Sequence, residues 1–355
     1  MPITVLVINP GSTSTKIAVY EDGDELFSEN VNHSAEEIAA FACIADQHEF
    51  REHHIRAALD RRGFGVERLS AVVGRGGMLR PIPSGVYAVD ARMREELLSG
   101  RYGEHASNLG ALIADDFGKE VGIPAYIADP VIVDELDDVA RVAGNRHFTR
   151  KSIFHALNQK AVSRRWCREN GRSYETATLV VAHMGGGVTV GLHKDGRVVD
   201  VNNGLNGEGP FSPERSGTLP AGDLVKLCFS GAYEEREVLK MVSGKGGMVS
   251  LMGTNDMRAV EEGWRIGDPE ASLYFRAFIY QVGKAIGALA AAAHRPLEAI
   301  ILTGGVAHSK PVVEGIREMV GFMAPLVVYP GEGELEALAL AGTRALKGEC
   351  EVLEY

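Results

Sequence analysis

Cysteine is scarce in this chain of 355 residues: Cys43, Cys167, Cys228 and Cys350 lie far apart, with no C-x-x-C pair. That excludes a disulfide framework and a thiolate zinc site, and it suits a reducing compartment. No basic residue precedes Lys16, and the chain runs early into the apolar stretch Ile3–Ile8, so no secretory leader is expected. Long apolar runs are missing too. The longest of helical character, Ile286–Ala293, falls far short of the ~20 residues that cross a bilayer. An excess of positive charge is also absent, with 37 basic against 48 acidic residues and a net charge of -11. This argues against nucleic-acid and anionic-membrane partners, yet a few local arginines can still hold a small anion.

What is there reads as a folded enzyme, with 45% hydrophobic and 24% charged residues. The length favours two domains over one core, and a cytoplasmic location is expected. Strand and helix patterns alternate, which points to an α/β protein. Ile3–Ile8, Thr15–Tyr20 and residues 25–31 read as strands, followed by a long helix over residues 35–62. Leu69–Val73 is a short strand ending in Gly74-Arg75-Gly76-Gly77, and Ala125–Ala128 another, ending at Asp129-Pro130. A helix over residues 151–169 then leads back to the opening pattern.

Three strands recur at Leu179–Ala182, Val188–Leu192 and Val198–Val201, and Asp195-Gly196 repeats the turn Asp22-Gly23. The offset, 195 − 22 = 173, also lays Leu6-Val7-Ile8 on Leu179-Val180-Val181 and Ser12-Thr13-Ser14 on Gly185-Gly186-Gly187 without a gap. An internal duplication explains this, with the alternative that two hairpins resemble each other by chance. A long helix over residues 270–294, the strand Ala299–Leu302 and a last helix over residues 334–346 complete the chain.

Two familiar nucleotide signatures fail. Five residues after Gly11 stands Lys16 rather than the glycine of a Walker A motif, and a strand follows instead of a helix. At His183-Met184-Gly185-Gly186-Gly187-Val188-Thr189, Val190 occupies the place of the third glycine of a dinucleotide fingerprint. Each loop still has the chemistry to approach phosphate. Asn9-Pro10-Gly11-Ser12-Thr13-Ser14-Thr15-Lys16 combines glycine, hydroxyls and a lysine charge, and three successive glycines allow close backbone approach. Thr303-Gly304-Gly305, after a buried strand, suits an adenosine. Taken singly, each loop is equally an ordinary tight turn. Two of them at equivalent places in a duplicated unit suggest a nucleotide held in a cleft between related domains.

These residues carry a resemblance to the acetokinase family, within the wider group of actin-like, Hsp70-like and sugar-kinase ATPases. It rests on Val7–Val19, reading V-I-N-P-G-S-T-S-T-K-I-A-V, on Ala71–Gly77, on Ile153–Lys160 and on His183–Val190. It continues through Glu214-Arg215-Ser216-Gly217, Thr303-Gly304-Gly305 and Gly333–Ala339, nearly the whole chain. The resemblance implies two duplicated ribonuclease-H-like or actin-like domains around a nucleotide cleft. Residues 1–150, joined by a C-terminal helix over about 335–355, would form one, and residues 151–334 the other.

It further implies ATP and Mg²⁺ as cofactors and phosphorylation of a short-chain fatty-acid carboxylate, butyrate foremost, to an acyl phosphate and ADP. Acetate, isobutyrate or another branched acid are the alternatives, as is, in a different class, a non-catalytic ATPase switch. By the same resemblance Arg75 would receive the substrate carboxylate and Arg215 the transferring phosphoryl group. His155 and His183 would donate to phosphate oxygens, His183 on the nucleotide side. Asn9, Gly11, Ser12, Thr13, Ser14, Lys16, Gly185, Gly186, Gly187, Thr303, Gly304 and Gly305 would bind the nucleotide. Asn9, Asp129 and Glu334 would stand near Mg²⁺, with Glu332 and Glu336 crowding the register of that glutamate. A homodimer or larger homo-oligomer is implied as well. One departure bears on substrate: the family's acetate kinases carry a second histidine, F-H-G-T-S-H, where this chain has Ala156-Leu157-Asn158-Gln159. That points away from acetate.

Overall fold

The computed structural model describes residues 2–355. Runs rich in valine, isoleucine and leucine form most of its strands. In chain order these are β1 Thr4–Pro10, β2 Ser14–Glu21, β3 Asp24–Asn32, β4 Ala71–Arg75, β5 Val86–Ala88, β6 Ala125–Ala128, β7 Thr178–Met184, β8 Val188–Lys194, β9 Arg197–Val201, β10 Ala299–Gly304, β11 Leu326–Pro330 and β12 Val352–Leu353. The chain divides into two compact units, Met1–Val133 with Gly333–Tyr355, and Asp134–Glu332. The stretch Asp134–Arg150 is tied to the second unit. The Asp137 amide donates to Val199 O at 2.9 Å, and Arg150 reaches Asp200 at 2.9 Å and Glu208 at 3.2 Å.

The first unit holds a seven-stranded mixed sheet ordered β12-β5-β6-β4-β1-β2-β3. One face packs Leu6, Ile8 and Val72 against Leu109, Leu112, Ile113 and Phe117 of the helix Asn108–Val121. The other face receives the last helix, Glu334–Leu346. Its Gly342 lies so close that a Cβ there would meet Val73 at 2.6 Å and Val5 at 3.2 Å. The second unit holds five strands ordered β11-β10-β7-β8-β9. Phe275, Phe278, Val282 and Ile286 of the long helix Pro269–Ala292 pack under Val180, Ala182, Val190 and Leu192. Val162 and Trp166 of the helix Ala156–Glu169 cover Leu179, Val181 and Ile301 from the opposite side.

The two sheets repeat one design. In each, an antiparallel meander (β1-β2-β3, β7-β8-β9) is extended by two parallel strands, β4 and β6 or β10 and β11. Asp22 and Asp195 share a φ of 51°, each followed by a glycine at positive φ, the two-residue hairpin turn that suits twisted strands. A ladder irregularity falls at Val19/Tyr20 in one copy and Leu192/His193 in the other, at the same offset as the turns.

The first strands do not keep that offset. Thr4 pairs with Glu21, and Thr178 with Lys194, so β7 is displaced by one residue relative to the gapless alignment. The loop of four residues between Pro10 and Thr15 corresponds to three between Met184 and Val188. Asn9 therefore matches His183, and Leu6 matches Val180. A one-residue slip would reverse the faces of the strand.

Two helices also differ from expectation. The stretch over residues 35–62 breaks into a short helix Ala35–Ala39, a 3-10 turn and the helix His48–Arg61; Asp46 accepts from the Cys43 amide at 3.3 Å and turns the chain between them. The helix expected from residue 151 starts at Ala156, with His155 as its cap. No helix among the described residues is long and apolar enough to cross a membrane.

Gly304 has φ 86° and ψ 172°, and a Cβ there would lie 2.4 Å from the Met184 carbonyl oxygen. Only glycine adopts that backbone readily. Gly304→Ala is expected to lower stability by about 2–4 kcal/mol in denaturant unfolding. Gly305→Ala, where an added Cβ meets nothing within 4 Å, is expected to leave stability unchanged within ~0.5 kcal/mol.

Candidate functional site

In the first unit, three neighbouring parallel strands bring chemistry to their carboxyl ends, the edge where open α/β sheets bind ligands. Asn9 lies near the end of β1, Arg75 at the end of β4, and Asp129 just after β6. The first turn of the helix Glu334–Leu346 meets them there. Asn9 Nδ2 donates to Glu334 Oε2 at 2.8 Å, and Arg75 Nη1 donates to Asn9 Oδ1 at 3.2 Å. The fork of Arg75 takes both oxygens of Glu334, Nη1 to Oε2 and Nη2 to Oε1, each at 3.0 Å. Of the three crowded glutamates, Glu334 is the one whose carboxylate joins Asn9 and Arg75. The helix N-terminus favours its negative charge.

Asp129 is buried and holds a φ of 39°, an uncommon backbone state for a residue other than glycine. Its Oδ1 accepts from Ser84 Oγ at 2.5 Å and from the Gly85 amide at 3.0 Å, while its own amide donates to Gly85 O at 3.1 Å. The segment before β5 thus clamps it in place.

The loop after β1 has all its carbonyls turned into the protein. Gly11 O, Ser12 O and Ser14 O accept from the guanidinium of Arg51 at 2.7, 3.1 and 3.2 Å, and Thr13 O accepts from the His33 amide at 2.9 Å. The peptide bonds are trans among the described residues, so each inward carbonyl sends the following amide outward. The N–H groups of Ser12 and Thr13, which follow carbonyls held by Arg51, therefore point away from it, and the Ser12 and Thr13 side chains are exposed. Lys16 pairs with Asn9 in the ladder, so the two side chains share a face.

The second unit gathers another set. The rings of His155 and His183 stack with centroids 3.8 Å apart and planes 10° from parallel. His155 Nδ1 lies 2.8 Å from Thr189 Oγ1. His183 Nδ1 donates to Asn158 Oδ1 at 2.7 Å, and Asn158 Nδ2 donates to Thr303 Oγ1 at 3.3 Å. Asn158 thereby joins the ends of β7 and β10.

Arg215 lies on the glycine loop so closely that a Cβ at Gly187 would fall 2.0 Å from its Nη1. That nitrogen donates to Gly204 O at 2.8 Å. Burial lowers the Arg215 pKa from its usual value, while Glu214 opposes the shift. Ser212 Oγ donates to Gly186 O at 2.7 Å and accepts from the Arg215 amide at 3.1 Å, fixing the loop against the arginine.

A cavity of about 1300 Å³ opens beside this loop, with Gly185, Gly186 and Gly305 on its wall and Phe275, Val306 and Met257 among its apolar residues. Gly304 is a glycine that the protein's own backbone demands, and Gly187 leaves room for the guanidinium of Arg215. Gly305 answers neither need, since a Cβ there would meet nothing within 4 Å.

Arg51, outside every motif, and Asn158, inside the Ile153–Lys160 motif but given no role there, are the residues the sequence reading missed. Asn158 stands three residues after His155 in the helix Ala156–Glu169, a spacing that puts both near one face. Arg51 sits among the alternating charges of His48–Arg61, where nothing in the spacing sets it apart.

The acetokinase family model matches residues 136–325. The chain is 54% identical to butyrate kinase 1 of Clostridium acetobutylicum over 351 residues, covering 99% of each chain. It is 52% identical to a probable butyrate kinase of Clostridium botulinum, covering 98% of each. Among solved structures, it resembles the acetate kinase of Porphyromonas gingivalis at a TM-score of 0.77 and 20% identity, covering 96% of this chain and 99% of the other. The acetate kinase of Entamoeba histolytica gives a TM-score of 0.76 at 16% identity, covering 96% and 98%. These structures share the fold, and the full-length similarity to the Clostridium proteins goes further: the chain belongs to the acetokinase family.

Proposed function

We propose that this chain transfers the γ-phosphoryl group of ATP to the carboxylate of a short-chain fatty acid, butyrate first, giving an acyl phosphate and ADP. The observation that carries the substrate is the 54% identity, over 99% of both chains, to a protein named butyrate kinase. The chemistry follows from charge. A short-chain carboxylic acid titrates near ~4–5, as side-chain carboxyls do, so it arrives as an anion and needs no base. The difficulty is bringing that anion against a polyanionic phosphate, which positioned cations and amides relieve.

In this reading a carboxylate oxygen attacks the γ-phosphorus and the bond to the β-γ bridging oxygen breaks. Arg75 receives the acyl carboxylate, sharing its fork with Glu334 or exchanging one carboxylate for the other. Arg215, fixed against the second glycine loop, meets the transferring group, and His155 supports it. The outward amides of Ser12 and Thr13, with Gly11, Ser14 and Lys16, hold phosphate oxygens. Gly185, Gly186, Gly187 and His183 do the same from the second unit. Thr303, Gly304 and Gly305 border the adenosine, which the cavity beside Gly305 accommodates. A ligand lying on Gly305 gives a reason for a glycine that the fold does not require.

The oxygen donors of Asn9, Asp129 and Glu334 are of the hard type that suits magnesium. When bound, the ion neutralises phosphate charge. Asp129 serves orientation of the metal or its water rather than proton removal, because the acceptor is already ionised.

The test is kcat/KM for acetate, propionate, butyrate, isobutyrate and valerate with Mg-ATP, read by trapping the acyl phosphate with hydroxylamine. A maximum at butyrate is expected, with neighbours reduced by about 10–200-fold per misfitted methylene at most. ATP hydrolysis without any hydroxamate would overturn the reading. Arg215→Ala is expected to lower kcat by about 10²–10³-fold while the protein stays folded. Arg215→Lys is expected to recover little of this, since a point charge does not reproduce a planar fork. A kcat within threefold of the parent for Arg215→Ala would remove Arg215 from the reaction.

A further inference from the structure

Arg51 lies outside every motif, yet it is fully buried, with 0% of its surface exposed. Its donors all go to neutral acceptors. Nη1 reaches Gly11 O at 2.7 Å, Ser14 O at 3.2 Å and Thr15 Oγ1 at 3.2 Å, and Nη2 reaches Ser12 O at 3.1 Å. Nε and Nη2 both reach Gln47 Oε1, at 3.0 and 2.9 Å. Among the described residues no carboxylate forms an ion pair with it. Burial pulls its guanidinium down to about 10, and desolvation is the sole cause of that shift. It remains a cation at neutral pH.

A buried charge without an opposite charge is costly, and proteins ordinarily pair it. Here the opposite charge has one evident place to sit. The carbonyls of Gly11 and Ser12 lie between Arg51 and the outer side of the loop, and the amides that follow them, those of Ser12 and Thr13, face outward. The guanidinium field and the amide dipoles therefore point the same way, toward an anion on the loop.

We propose that Arg51 is a positioning residue for the nucleotide, holding the loop carbonyls inward and acting as the buried counter-charge to the phosphates bound on the Gly11–Ser14 loop. The proposal rests on reading this segment as a phosphate loop. It predicts that the protein is balanced for the bound state: the charge is unmatched in the free enzyme and matched when the anion arrives.

Gln47 offers a direct test. Gln47→Glu is nearly isosteric, and it gives Arg51 the carboxylate it lacks at an oxygen already in contact. The ligand-free protein is expected to melt at the same temperature or higher. KM for Mg-ATP should rise by about 5–20-fold, and stabilisation by Mg-ADP should weaken to match, because the loop has lost a cationic field. KM for butyrate should stay within about twofold, since that carboxylate is assigned to Arg75. An unchanged KM for Mg-ATP, with unchanged protection by Mg-ADP, would make Arg51 a structural brace and overturn the proposal.

Arg51→Lys and Arg51→Met provide a second comparison should the first variant not fold. Lysine keeps the charge, so the Kd for Mg-ADP should stay within about fivefold, whereas methionine should weaken it by more than ~10-fold. Equal loss in both would overturn the counter-charge role. If Mg-ADP protection behaves as expected in these variants but no acid yields an acyl phosphate, the carboxylate-kinase reading fails and the role of Arg51 stands.

Discussion

The interaction between Arg75 and Glu334 is where fold and site meet in the first unit. It joins the end of β4 to the first turn of the last helix, residues 259 apart in sequence. Neither partner is fully exposed, at 23% and 11% of the side-chain surface, so breaking the pair costs more than forming it returns. The helix that carries Glu334 also covers one face of the sheet, with Gly342 set against Val5 and Val73. The chain must return from the second unit to complete the first, and the carboxylate it brings back orients both Asn9 and Arg75. The packing that finishes the core therefore fixes the polar groups at the strand ends.

Glycine works differently at each loop. At Gly187 it makes room for an arginine, and at Gly304 it allows a backbone state that also brings β10 against β7. At Gly305 the protein itself asks for nothing, which turns attention to a ligand. The first loop reaches a similar end with hydroxyl residues, by burying its carbonyls on Arg51. In the proposed reading these are two solutions to one demand, that amides rather than carbonyls face an anion.

Most strands, the Asp-Gly turns and the duplication were legible because two-residue hairpins carry strong local signals. The offset of the first strands was not. β1 and β7 are buried along their whole length on both faces, and their central residues, Val5–Ile8 and Leu179–Ala182, are apolar without a break, leaving no alternation to reveal register. A shift of one residue leaves such a run looking the same, and only the pairing of Thr4 with Glu21 and Thr178 with Lys194 exposes it. The loop residues named from motifs fall at strand ends because the motifs themselves are strand-turn patterns. Arg51 was invisible for the converse reason. Its importance comes from a contact 40 residues away, with Gly11 O, and a charged residue in a charged helix gives no local sign of burial.

The central claim is direct phosphoryl transfer between two anions, with positioned cations and amides in place of a base. Incubation of butyrate labelled with ¹⁸O in its carboxylate, together with Mg-ATP, followed by ³¹P NMR of the product, tests it most directly. The account predicts butyryl phosphate whose phosphorus resonance shows the isotope shift of a bridging ¹⁸O, formed in step with ADP. Unlabelled inorganic phosphate, released at the same rate with or without butyrate, would contradict it and leave an ATPase in its place.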